Sequence, residues 1–396
     1  MKIGIWLGTD KRSLIGGGGS YTDRFLSLVD NYPFHESIEI CYLSIVPQKD
    51  LKRETIVISQ IPKIIYALGS ISSYLMKWII SLDRYLIKKK GLCRILSGSS
   101  VKIIFYCSQC ECLDSNFPFI SNNWDIGHRS THSFPEVMLN GQYEIREGFY
   151  KNVLPKALLT ICESETGCQE LINYTCLGKH KIRIMPMFAG GVSSLNVPAS
   201  SMLLIIERLG IVPFKYFYYP AQFWAHKNHV GLLKAFKEFK KKNDGYKLVL
   251  NGSDRGNKQY IINKAEEMGL KNDVVFLGFI SNEEVYSLYK FATALVMASH
   301  FGPTNMPPIE AMELGCPVAC SDIGGHHEIL GENAVYFDSF DYESICSAMN
   351  EIVSNRNLWL EKINRQKELS IFNSDYALRS LNNILKEAIV IRENWE

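Results

Sequence analysis

The sequence predicts an α/β protein built from two doubly wound, parallel-sheet domains that face each other across a cleft. Three observations carry this. The chain has 396 residues, and at roughly 100–200 residues per domain two domains are expected. Short apolar runs bounded by turn residues alternate with helical patterns, as βαβ units require. The stretch 189–201 (AGGVSSLNVPASS), rich in small and polar residues and without a period, splits those runs into two series. The expected domains are 1–195 and 205–370, with 371–396 as a separate final helix.

The first series comprises KIGIWL (2–7), IEICYLS (38–44), VKIIFYCS (101–108), a buried run around Phe117–Ser121, ALLTICES (157–164) and KIRIMP (181–186). The second comprises KYFYYPA (215–221), YKLVLNG (246–252), VVFLGF (274–279), ALVMAS (294–299) and PVACSD (317–322). The first strand runs into a loop with Gly16, Gly17, Gly18 and Gly19, ahead of a helix expected to begin near Ser20 or Tyr21. Glycines there let backbone N–H groups approach a phosphate or a sugar, and a helix start favours an anion. The run does not follow the G-x-G-x-x-G pattern of a dinucleotide site, and a plain flexible loop is the alternative.

Composition excludes several functions. The net charge of +2 gives no case for nucleic acid as a partner. The start, MKIGIWLG, reads as a buried strand and not as a secretion signal. No apolar run approaches the ~20 residues of a membrane span. Eleven cysteines without a secretion signal point to reduced thiols in the cytoplasm. Cys107, Cys110 and Cys112 contain one metal-like pair, but Cys162 and Cys168 do not supply the second pair of a structural zinc site. Buried thiols are therefore expected, and no metal. Residues 74–94 combine Trp78 and aliphatic side chains with Lys77, Arg84 and Lys88–Lys90. That pattern suits either an anionic membrane surface or a core helix with a basic outer face.

The most informative stretch is FGPTNMPPIEAMELGCPV, residues 301–318. Thr304 or Asn305 is placed to cap a helix, with Pro307 and Pro308 in its first turn, where a missing N–H costs nothing. Gly315 ends the helix. Glu310 lies near the positive end of its dipole. Gly302 permits close backbone approach. Together these form an anion cradle with a carboxylate beside it, suited to a nucleotide diphosphate whose ribose hydroxyls Glu310 would bind. A well-capped structural helix is the alternative.

This motif resembles the nucleotide-sugar signature of the retaining glycosyltransferases of family 4, in the "GPTN" subset of bacterial polysaccharide transferases. The resemblance implies the GT-B fold: a Rossmann-like acceptor-binding domain over 1–195, a Rossmann-like donor-binding domain over 205–370, and a last helix crossing back to the first. It implies transfer of a sugar from a UDP-, GDP- or dTDP-sugar to a saccharide hydroxyl with retained configuration, and no cofactor. YPAQFWAHKNHVGLLKAF (219–236) resembles the donor-phosphate segment. Lys227 matches its lysine, and Gln222 stands where arginine is usual. VLNGSDRGN (249–257) resembles the following loop through Gly252, Ser253 and Asp254. Phe279 and Ile280 match the strand end that holds the base. Gly302, Pro303, Thr304, Asn305 and Met306 form the phosphate and sugar side. Gly302 occupies the place of an acid that touches the transferred sugar, and Trp124 that of a histidine, leaving Asp125 and His128 as candidate acceptor groups with His132 as a rival. A titrating histidine there would suit proton handling.

The resulting expectation is a metal-independent hexosyltransferase, with no D-x-D motif, acting in surface polysaccharide (O-antigen) synthesis. Its acceptor is expected to be lipid-linked, reached at the cytoplasmic membrane face with contact through 74–94. Two other readings share the fold: a nucleotide-sugar epimerase, which turns over donor without acceptor, and a non-catalytic nucleotide-sugar binder.

Overall fold

A computed structural model describes residues 1–8, 17–48, 50–58, 96, 98–109, 117–131 and 134–394. Its first sheet comprises β1 (Lys2–Gly8), β2 (Glu39–Ser44), β3 (Thr55–Val57), β4 (Val101–Tyr106), β5 (Phe119–Asn123), β6 (Leu159–Cys162) and β7 (Ile182–Ile184), in the order β3-β2-β1-β4-β5-β6-β7. The second comprises β8 (Tyr216–Pro220), β9 (Lys247–Asn251), β10 (Val274–Leu277), β11 (Ala294–Met297), β12 (Val318–Ser321) and β13 (Val335–Phe337), in the order β10-β9-β8-β11-β12-β13. Neighbouring strands pair in parallel, for example β1 with β4 and β8 with β11.

Both faces of each sheet are covered, which is why the strands read as continuous apolar runs. In β1 and β4, Ile3, Ile5, Ile103 and Phe105 pack on one face with Tyr21, Phe25 and Val29 of the helix Gly17–Asn31. Trp6, Ile104 and Tyr106 pack on the other with Phe149, Tyr150 and Leu171. The last helix, Ser374–Arg392, places Leu378, Leu381, Leu385 and Ile389 in the core of the first sheet. Their spacing of three and four residues gives a single apolar stripe.

Some local features differ from the sequence reading. β3 and β13 span three residues each, too short to show a period. The segment 189–201 contains a 3-10 turn, Gly191–Ser194, and the helix Ala199–Arg208 starts within it. The first helix starts at Gly17 rather than at Ser20 or Tyr21. Glycine disfavours helix by about 1 kcal/mol relative to alanine, which biased the reading, but side chains of this helix anchor it. Ser20 Oγ accepts from the Gly191 N–H at 3.1 Å, and Arg24 Nη1 donates to Ala189 O at 2.6 Å and Gly190 O at 3.0 Å. Residues 74–94, Gly16, Cys110, Cys112 and His132 lie outside the described residues. Among the described residues no helix is long and apolar enough to cross a membrane.

Strand order reverses between β1 and β4 in one sheet and between β8 and β11 in the other. Loops leaving the carboxyl ends of parallel strands diverge at such points and open a crevice.

Candidate active site

The segment after β8 crosses the carboxyl edge of the second sheet, and a short 3-10 turn, Ala225–Lys227, carries Lys227 there. Asn228 follows with φ +54 and caps the next helix by accepting from the Gly231 N–H. Lys227 Nζ donates to Asn305 Oδ1 at 2.9 Å and to Ser299 Oγ at 3.3 Å. An ammonium has three donors. Among the described residues the third has no acceptor. Burial lowers the Lys227 pKa to about 8, opposed by the carboxylates of Asp125 and Glu136.

Asn305 is the N-cap residue of the helix Met306–Leu314, yet its side chain makes no capping bond. Its Oδ1 is taken by Lys227. Its Nδ2 lies 3.1 Å from His326 Nε2, and His326 Nδ1 lies 2.8 Å from Ser321 O. Donation from Nδ1 to that carbonyl leaves Nε2 as the acceptor, so the imidazole is neutral, and burial, the leading cause, pushes its pKa down to about 4. With Asn305 turned away and Pro307 and Pro308 lacking N–H groups, the helix start keeps an uncapped donor at Met306. Gly315 closes the helix at φ +70, as expected. Gly302 has φ +129, which glycine favours. Gly325 lets the helix Gly324–Leu330 close on the same loop, since a Cβ there would lie 1.5 Å from Pro303 O.

Glu310 is 7% exposed. Burial pushes its pKa up to about 7, against the Tyr289 hydroxyl, the Gly190 N–H and the more distant Arg24. Tyr289 OH donates to Oε2 at 2.8 Å. Glu310 thus stands at the joint between the domains, beside the start of the first helix.

Three further contacts hold the domains together at the cleft. Thr304 Oγ1 lies 2.6 Å from Glu163 Oε1, at the end of β6. The Glu328 carboxylate accepts from the N–H groups of Glu165 and Thr166 at 2.7 and 2.9 Å, at the start of the helix Glu165–Tyr174. Glu136 Oε1 accepts from the His226 N–H at 2.9 Å and pairs with its ring. Beside this pair Phe134 stacks on His300, with ring centroids 5.6 Å apart.

The remaining predicted residues divide between the cleft and its supports. Gly17, Gly18 and Gly19 form the first turn of the first helix. Gly252 packs so closely that a Cβ would lie 2.3 Å from Ala221 O. Ser253 O accepts from the Phe223 N–H at 3.1 Å, and its Oγ is buried without a partner among the described residues. Phe279 is 77% exposed beyond the end of β10, and Ile280 is half-buried. Pro303 is buried, and Met306 packs partly against the first domain's core. Asp125 is ion-paired with Arg146 at 2.6 Å and accepts from the Gly127 N–H. His128 departs from the expectation of a titrating group. It is fully buried between Tyr143 and Tyr150, with Nε2 3.2 Å from Glu147 Oε1. Burial, chiefly, pushes its pKa down to about 4, so it is neutral at pH 7.

Sequence reasoning missed several groups that only the fold brings in. Gln222 Oε1 accepts from Trp224 Nε1 at 2.8 Å and from Arg255 Nε at 3.3 Å, and the Arg255 guanidinium lies over the Trp224 ring. A cation therefore stands beside the position where the expected arginine is lost. Gln109 holds the 124–125 backbone, donating to Asp125 O at 2.7 Å and accepting from the Trp124 N–H at 2.9 Å. Glu163 and Glu328 carried no signal, because their partners lie more than a hundred residues away.

Residues 205–369 match the family profile described as Glycosyl transferases group 1. A glycosyltransferase of Methanocaldococcus jannaschii, MJ1607, is 30% identical over 145 residues, covering 36% of each chain. The O-antigen chain mannosyltransferase RfbU of Salmonella typhimurium is 34% identical over 129 residues, 33% of this chain and 36% of that protein. The matches thus span about a third of those relatives. A glycosyltransferase from Rickettsia africae superposes with TM-score 0.71 at 15% identity, over 98% of both chains. HepE from Anabaena, solved with UDP and glucose, does so with TM-score 0.69 at 14% identity, over 98% of this chain and 99% of that one. The fold is GT-B. The Lys227–Asn305 network and Glu310 fall within the stretch matched by the family profile, on the carboxyl-edge side of the second GT-B domain.

Proposed function

We propose that this chain is a retaining glycosyltransferase that moves a hexosyl group from a nucleotide-diphosphate sugar to a hydroxyl of a saccharide acceptor in surface polysaccharide synthesis. The observation that carries the reading is Lys227, whose ammonium is held by Asn305 and Ser299 with one N–H to spare, next to an uncapped helix start. Charge develops on the departing diphosphate as the anomeric bond breaks. Fixed positive charge and backbone dipoles in a poorly solvated site stabilise that charge without reorganising. Lys227, the helix start at Met306 and the turn Gly17–Gly19 supply it in this reading, and no metal is required. The Asn305–His326–Ser321 relay fixes Lys227 in place, which is the second layer of support such a site needs. Glu310 binds the ribose, and Phe279 and Ile280 flank the base. Asp125 serves the acceptor, with His128 supporting its loop as a neutral group.

Mannosyl is the hexosyl group we favour, on the similarity to the O-antigen chain mannosyltransferase. The acceptor is proposed to be lipid-linked and met at the cytoplasmic face of the membrane. The test is a thermal-shift panel of UDP, GDP and dTDP, followed by transfer assays with the matching sugars. One nucleoside diphosphate should stabilise the chain, and its sugar ester should be consumed in the presence of acceptor with the anomeric configuration kept. Binding without turnover would leave a nucleotide-sugar binder, turnover without acceptor an epimerase or hydrolase, and inverted configuration would refute the retaining reaction.

A further inference from the structure

The Glu163 side chain has no role in the reading above, yet its surroundings are unusual. It follows β6 at the carboxyl edge of the first sheet and is 4% exposed. One oxygen, Oε1, meets the Thr304 hydroxyl at 2.6 Å. The other, Oε2, is buried with no hydrogen-bond partner among the described residues. A buried polar atom is normally paired, so an orphan at a cleft between domains calls for an explanation. Burial, the leading cause, raises the carboxyl pKa well above its usual range, with Asp125 and Glu170 adding to the rise. The rise favours the protonated form, which has both an O–H donor and acceptor capacity.

The opposite side of the contact is equally particular. Thr304 lies two residues after Gly302, where φ is +129 and a Cβ would sit 3.0 Å from Asn305 Nδ2. The loop beside the proposed diphosphate cradle cannot readily carry an acid at 302. Glu163 brings a carboxyl to that loop from the other domain.

We infer that Glu163 is a sugar-binding residue, hydrogen-bonding a hydroxyl of the transferred hexosyl group through Oε2 when the two domains are closed. This rests on the proposed function. A sugar seated between Thr304 and Asp125 gives Oε2 the partner it lacks. The contact also couples closure to occupancy, because the carboxyl belongs to the first domain and the diphosphate cradle to the second. A bare nucleoside diphosphate has no hydroxyl at that place, so Glu163 distinguishes the sugar ester from the diphosphate alone.

The experiment compares the unaltered chain, Glu163→Gln and Glu163→Ala, each titrated with UDP, GDP and dTDP and with their hexose esters. Glu163→Ala should weaken the sugar ester tenfold or more while moving nucleoside diphosphate affinity less than twofold. Glu163→Gln keeps a donor and an acceptor in the same shape and should recover most of the loss. Nucleoside diphosphate binding certifies that each variant is folded, and if the alanine variant fails to fold, the glutamine variant together with Thr304→Val carries the comparison. Equal loss for diphosphate and ester, or no loss for either, overturns the assignment and leaves the function standing. Absence of any nucleotide binding by the unaltered chain overturns both.

Discussion

Donor affinity should fall as pH rises through about 8, and Lys227 is the reason. Its pKa is lowered by burial from 10.5 to about 8, so it is mostly charged at neutral pH and mostly neutral one unit above that midpoint. A group whose charged form binds the ligand loses affinity in proportion to its protonated fraction. That fraction drops from about nine-tenths at pH 7 to about one-tenth at pH 9, so the dissociation constant should rise about tenfold, or roughly 1.4 kcal/mol. The diphosphate diester of a nucleotide sugar keeps a constant charge over this range, so the slope belongs to the protein. His326, His226 and His128, with pKa values pushed down to about 4, do not titrate in the window, whereas Glu310, pushed up to about 7, does so in its lower part. The assay is calorimetric titration of the donor at half-unit steps from pH 7 to 9.5. Lys227→Arg stays charged throughout and should lose the fall through pH 8, keeping only what Glu310 contributes. Lys227→Ala should bind weakly at every pH and lack the same fall, and its turnover should fall a few hundredfold, at about 1.4 kcal/mol per tenfold. A flat profile in the unaltered chain, or an undiminished slope in Lys227→Ala, would show that this ammonium does not meet the diphosphate.

Glu310 gives a stability prediction of opposite origin. Its pKa is raised from 4.5 to about 7, so the folded state binds a proton that the unfolded state releases, and stability falls as pH rises between these values. Glu310→Gln should lack that component, so the difference between the two chains in urea unfolding should grow by up to about 3 kcal/mol from pH 4.5 to 7 and then level off; a constant difference would refute it. Arg255→Ala should raise the donor KM several-fold with little effect on unfolding, since the guanidinium neighbours Gln222 at the place of the missing arginine; an unchanged KM would leave Arg255 as packing on Trp224. Chelation with EDTA should leave turnover intact, and loss of activity restored by magnesium or manganese would refute a metal-free site.

Legibility followed sequence distance. Apart from β3 and β13, the strands of both sheets were readable because a strand buried on both faces is a nearly continuous apolar run, as in LTIC or ALVM, and needs no partner to be recognised. The helix start at 306 was readable for the same local reason: proline, glycine and the capping residues act within a few positions. The role of Asn305 was not. Read locally it is a cap, but Lys227 and His326 compete for the same amide, and a charge-assisted bond to an ammonium outweighs a neutral bond to a backbone N–H. His128 failed in the opposite way. It was expected to titrate as an acceptor group beside Asp125, while the helix Gln142–Asn152 brings Tyr143, Glu147 and Tyr150 around it. The contacts between the domains were invisible on either count. Glu163–Thr304 joins residues 141 positions apart, and Glu328–Thr166 residues 162 apart. A carboxyl such as Glu163 reads as one more surface acid until the opposing domain removes its water. In the proposed reading, these cross-cleft groups are also the ones that a substrate must satisfy or displace. On that reading the features least legible in the sequence are the ones that respond to the ligand, so mutation across the cleft tests the proposed function more sharply than mutation within either sheet.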